Sequence, residues 1–190
     1  MSKLNRSICI LIILSSMSMA EGMYYGGGLN SMDLGLKDNA IGIEAKVGKI
    51  FSNNFGIEGQ ISKTFSSAEE NYDNLNLEID VMAISVFATY SHQLTPQLTI
   101  MPKIGFTQYS MDASISSVNE DDNALGLSIG VDLKYHVTNN MNIYTSFSKY
   151  YPKLDKDIAT INFTDGTHSF LSFNKDVSPT HLSIGIEQKF

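Results

Sequence analysis

Tryptophan is absent from the 190 residues, and cysteine occurs once, as Cys9. A lone thiol excludes an internal disulfide and any metal site built on clustered cysteines. Bases are scarce as well: 13 Lys and Arg stand against 20 Asp and Glu, for a formal net charge of −7. That balance argues against a nucleic-acid partner, because phosphate binding needs a basic surface. Long apolar runs are missing too. The most apolar stretch, "ICILIIL" at residues 8–14, falls far short of the roughly 20 residues a spanning helix needs. Helical stripes at i, i+3, i+4 are equally hard to find.

The short apolar run has a different use. Lys3 and Arg6 precede it and Ser18-Met19-Ala20 follows it, which is the basic, apolar and small-x-small order of a cleavable secretory signal. Residues 1–20 therefore read as a signal peptide and residues 21–190 as the mature domain. Cleavage removes Cys9 together with Lys3 and Arg6, leaving no thiol and a net charge of −9 (20 acids, 11 bases).

What the mature part does contain is alternation, the period of strands. Eight candidate strands span residues 23–36, 41–51, 55–65, 78–91, 97–111, 124–137, 141–151 and 180–190. Ile41, Ile43, Ala45 and Val47 share one parity, with Glu44 and Lys46 on the other. Likewise Leu125, Leu127, Ile129, Val131 and Leu133 oppose Gly126, Ser128, Gly130, Asp132 and Lys134. Short connections ("SNN", "HQLTP", "TNN") alternate with longer ones ("SSAEENYDNLN", "MDASISSVNEDDN" and 152–179). Phe51, Phe55, Tyr90, Tyr135 and Phe190 fall on the apolar parity beside the short turns. A soluble sandwich would bury its apolar face and has no need of aromatics at one level. A membrane barrel does, because amphipathic rings sit at the lipid–water boundary. The expected fold is an all-β, eight-stranded antiparallel up-and-down transmembrane β-barrel. Pro102, within the fifth strand, cannot donate to a ladder and needs a bulge or a position near the short-turn rim.

The signal segment, the amphipathic strands, stretches such as "SNNFGIEGQIS" and "TPQLTIMPKIGF", and the terminal "HLSIGIEQKF" together resemble the small outer-membrane β-barrel family of Gram-negative bacteria, typified by the membrane domain of outer membrane protein A. The resemblance implies residence in the cell outer membrane, contact with its lipid and lipopolysaccharide, and recognition of the last strand, with Phe190 as assembly signal, by the barrel-assembly machinery. It leaves the partner of the external loops unnamed.

Candidate sites are few. The inward parity holds Glu44, Lys46, Glu58, Lys103, Asp132, Lys134, Glu187 and Lys189, four acids and four bases, which suggests a paired charge network plugging a narrow lumen. His181-x-Ser183 resembles the His-x-Ser pair of outer-membrane lipid A deacylases, where His would activate Ser, but its parity faces the lumen, away from lipid. "NEDDN" at 119–123 lacks the glycine and spacing of a calcium loop and reads as a solvated acidic segment. No catalytic, cofactor-binding or metal residues are expected. The expected function is a non-enzymatic structural or surface-interaction barrel, with a porin-like channel for small solutes as the alternative. Deleting Phe190 should lower the amount of protein reaching the outer membrane and leave chain in the periplasm, as cell fractionation would read; wild-type membrane levels would refute the assembly role.

Overall fold

The computed structural model of the chain describes residues 22–34, 38–66, 68–72, 75–115, 118–152, 160–162, 168–170 and 178–190. The signal segment lies outside them. The barrel strands are β1 (Met23–Asp33), β2 (Ala40–Ile50), β3 (Phe55–Ser66), β4 (Leu75–Tyr90), β5 (Leu98–Ile115), β6 (Val118–His136), β7 (Met141–Pro152) and β8 (Thr180–Lys189). Each pairs antiparallel with its neighbours in sequence, and β8 returns to pair with β1. The sheet is a closed eight-stranded barrel without a free edge, the one β architecture that leaves no backbone group unpaired toward hydrocarbon.

The register fixes its width. Traced from Gly59 through Val47, Tyr25 and Gln188 it reaches Met141; traced the other way through Val86, Phe106 and Leu127 it reaches Tyr151, ten residues further along the same strand. Such a stagger tilts the strands by roughly 40°, and eight strands enclose an interior just wide enough for side chains.

Several boundaries differ from the sequence expectation. β5 and β6 run on past residue 111 and before residue 124 until Ile115 pairs with Val118, so most of "MDASISSVNEDDN" is hairpin rather than loop. In the same way Ala68–Tyr72 pairs with Leu75–Ile79, extending the β3–β4 hairpin. Above the bilayer no lipid demands an apolar face, so a strand can continue there without the alternation that marks it below. At the opposite end "HQLT" forms a short strand, His92–Thr95, against the start of β5. The ladder between β4 and β5 ends at Lys103, so Pro102 sits where that pairing is interrupted near the short-turn end.

The exterior is apolar. Leu29, Ile43, Ile57, Val86, Phe106, Leu125 and Ile184 all point outward and are exposed. In water so continuous a patch would drive aggregation, whereas hydrocarbon makes it the buried face. Near the short turns Phe51, Phe55, Tyr90, Tyr135 and Phe190 are also exposed. Phe55 lies against Tyr90 with ring centroids 5.1 Å apart. Tyr25, on β1, stacks on Phe190 at 5.2 Å.

Inside, three layers succeed one another. At the long-connection end Met32, Leu34, Ala40, Val81, Ala83, Tyr109 and Ala124 form a buried apolar cluster that Phe87 and Tyr150 extend inward. Charged side chains fill the middle. A polar cavity of 410 Å³ opens at the short-turn mouth, lined in part by His92, Thr99, His136 and Lys189.

Ile129 lies outward on β6, four residues from Leu125 and six from Tyr135, close to the middle of the apolar band. Ile129→Arg should reduce stability by about 2–4 kcal/mol and Val137→Arg, beside the short turn, by about 0–1 kcal/mol. Equilibrium urea unfolding in phospholipid vesicles reads both; equal costs would contradict the assigned depth.

Candidate functional site

Inward parity brings charged residues from five strands to one level of the lumen. Asp132 on β6 is the centre: its two oxygens each lie 2.8 Å from a lysine, Lys103 on the neighbouring β5 and Lys46 on β2 across the lumen. Lys103 also reaches Glu58 on β3 at 3.2 Å. Lys46 also approaches Glu187 at 3.7 Å and Glu58 at 3.9 Å. Lys134 pairs with Glu187 on β8 at 2.6 Å. All of these side chains are buried, so each charge depends on its partners rather than on water.

The rings beside the lysines add to the pairing. Lys46 Nζ stands 3.4 Å from the centroid of the Tyr144 ring, Lys134 Nζ 4.0 Å from that of Tyr24, and Lys103 Nζ 4.8 Å from that of Phe87. Each ammonium therefore faces a carboxylate and a π-face together, a favourable setting for a desolvated cation. The tyrosines fit because glycine lies opposite: Tyr24 pairs with Gly48 and Tyr144 with Gly185. A Cβ at Gly48 would collide with the Tyr24 ring, and one at Gly185 would meet the Tyr144 hydroxyl at 2.6 Å.

Both tyrosines also donate to the acids, Tyr24 to Glu58 at 2.8 Å and Tyr144 to Glu44 at 2.6 Å. Glu44 accepts further from Gln60 at 2.8 Å and from Ser183 at 2.9 Å. Asn142 donates to Glu187 at 2.9 Å and accepts from the His136 ring at 2.6 Å, tying the network to the cavity at the short-turn mouth. Above the ions a hydroxyl chain, Ser85 to Thr107 at 2.7 Å and Thr107 to Ser128 at 2.5 Å, separates charge from the apolar cluster.

Of the eight lumen residues named from sequence, Glu44, Lys46, Glu58, Lys103, Asp132, Lys134 and Glu187 are buried together. Lys189 is not among them. It is half-exposed and lines the cavity at the short-turn mouth, and among the described residues no ion pair holds its ammonium. The expected balance of four acids and four bases therefore does not hold in the interior. Parity alone could not have found the tyrosines, Gln60, Asn142 or Ser183 as hydrogen-bond partners; the Tyr–Gly pairing across strands was the available signal.

His181 and Ser183 both point inward, as expected from parity. Ser183 donates to Glu44, and His181 Nε2 lies 3.2 Å from the same carboxylate. The two share an acid instead of forming a serine–histidine hydrogen bond, and neither reaches the lipid-facing surface. Among the described residues no cluster of three or more His, Cys, Asp or Glu has the arrangement to hold a metal ion.

Removing one partner of a buried ion pair strands the other, at a typical cost of about 3–5 kcal/mol. Lys103→Gln should lose that much, and adding Asp132→Asn should recover part of it, a coupling that urea unfolding of the two single variants and the double variant measures. Additive losses would show that Lys103 and Asp132 do not interact.

The model of one protein family, described as the outer membrane protein beta-barrel domain, matches residues 7–190. Among curated proteins no relative matches by sequence. Similar solved structures include Ail, the attachment invasion locus protein of Yersinia pestis, at 18% identity and TM-score 0.59, covering 90% of this chain and 100% of that one. OprG of Pseudomonas aeruginosa is similar at 14% identity and TM-score 0.65, covering 90% and 96%. Neisserial surface protein A is similar at 14% identity and TM-score 0.60, covering 90% and 98%. At these identities the likeness is one of fold.

Proposed function

The chain belongs to the outer membrane protein beta-barrel domain family and is a protein of the bacterial outer membrane, and from that premise we propose that it is a non-enzymatic barrel with a closed lumen, acting as a structural element or surface-interaction platform. The observation that carries this reading is the buried ion network. Asp132, Lys46 and Lys103 link opposite walls of the barrel at 2.8 Å contacts, and the apolar cluster lies over them. A solute would have to break several desolvated ion pairs and then cross a dry layer.

In this reading the short-turn end faces the periplasm and the long connections face outward, where they present the contact surface. Outer-membrane lipid and lipopolysaccharide surround the apolar band. The barrel-assembly machinery takes the chain from the periplasm, reading the β8 strand and Phe190. A shared lumen-facing acid and the absence of lipid access at His181 and Ser183 weigh against deacylation.

The channel reading draws on one feature, the 410 Å³ cavity at the short-turn mouth, which would serve as a vestibule if the network could part. Conductance of the refolded protein in a planar bilayer separates the two. The plug predicts rare, brief openings in wild type and more frequent ones in Lys103→Gln, because the stranded carboxylates repel and take up water. A large steady current in wild type, unchanged by Lys103→Gln, would favour the channel.

A further inference from the structure

The interior charges do not cancel. Among the described residues Glu44, Glu58, Asp132 and Glu187 are buried in the lumen with only three ammonium groups, those of Lys46, Lys103 and Lys134. The fourth base on that parity, Lys189, stands at the solvated mouth. One negative charge is therefore left over, and the contacts say where. Glu58, Asp132 and Glu187 each have an ammonium within 3.2 Å. Glu44 has no lysine partner among the described residues. Its neighbours are the neutral donors Tyr144, Ser183 and Gln60 and, 3.2 Å from Oε2, the Nε2 atom of His181. The His181 ring is fully buried, and among the described residues neither Nδ1 nor Nε2 makes a hydrogen bond, so the Oε2 contact is the one polar approach to Nε2 and no second group competes for the imidazole.

An ionised carboxylate without a counter-charge is strongly disfavoured in a desolvated site, and taking up a proton is the usual escape. We propose that the Glu44–His181 pair is a proton-binding site that holds one proton between Glu44 Oε2 and His181 Nε2 at neutral pH and so completes the charge balance of the lumen. The proton belongs to the pair, since two groups this close titrate together. The ionisable groups around it are consistent with that role. Lys46, two residues along β2, is turned to Asp132 and the Tyr144 ring. Lys103 from β5 touches Gln60 at 3.4 Å but is paired with Glu58 and Asp132. Asp132 from β6 is held by those two lysines. Tyr144 and Tyr150 from β7 face Glu44 and the edge of the His181 ring.

The consequence for stability has a definite sign. Unfolded Glu and His are both deprotonated between pH 7 and 9, whereas the folded pair keeps its proton. Folding then takes up one proton, so stability is present at the lower pH and is lost as pH rises toward the folded-state value. The unfolding constant should increase by up to tenfold per pH unit across that window.

Equilibrium urea unfolding of the refolded chain in phosphatidylcholine vesicles, from pH 7 to 9, tests this. Wild type should show the slope. Glu44→Gln, which carries the neutral form permanently, should be flat across the window and more stable than wild type at pH 9. Glu58→Gln and Asp132→Asn, which remove paired carboxylates, should be less stable than wild type throughout. A wild type without slope overturns the proposal, and this readout stands even if Glu44→Gln fails to fold. A Glu44→Gln profile parallel to wild type overturns it as well. So does a stability that follows sodium concentration, with choline as the control ion, and not pH, because the cage would then hold a metal cation in place of the proton.

Discussion

The interior depends on Asp132. An ammonium at bilayer depth is costly unless paired, and this one carboxylate serves two of them at 2.8 Å, Lys103 from the adjacent strand and Lys46 from across the lumen. Once Lys46 is held there, its other contacts bring Glu58 and Glu187 into the same layer, while Glu44 stands apart among neutral donors. The pairing across the barrel is possible because eight strands with a ten-residue stagger make a lumen that a lysine can span.

Closure and interior are consequently one problem. The apolar exterior requires a ladder without edges, and the edge is removed where β8 meets β1, with Tyr25 stacked on Phe190 at the seam. The closed ladder sets the width, and the width leaves no room for bulk water around the charges. Glycines at Gly48 and Gly185 release the volume that Tyr24 and Tyr144 occupy, so the rings that line the lysines are bought with missing side chains on the facing strands.

Much of this was legible in the sequence because lipid imposes the strand period on every residue it touches. Ile41 to Val47 and Leu125 to Leu133 could face only one way, and the burial of Glu44, Lys46, Asp132 and Lys134 followed from parity. Where lipid ends, the signal ends with it, which is why the ladder from the Asp112–Asp121 pair to the Ile115–Val118 pair reads as loop in the sequence. Parity also gives direction without depth. It assigned Lys189 to the lumen, but not its height at the mouth, and it marked Glu44 as inward without revealing that its neighbours are neutral. Those facts depend on the stagger between strands, which local sequence does not encode.

The apolar cluster of Met32, Leu34, Val81 and Tyr109 lies at one end only, while the other end opens into a polar cavity. Along the barrel axis the described interior is thus graded from apolar through charged to polar. An electrical potential across a membrane falls mainly over layers that exclude water, and here the buried charges belong to those layers together with the apolar cluster. Moving any one of those charges along the axis would therefore do work against the field, so the ion pairs that hold them in place also fix them against voltage.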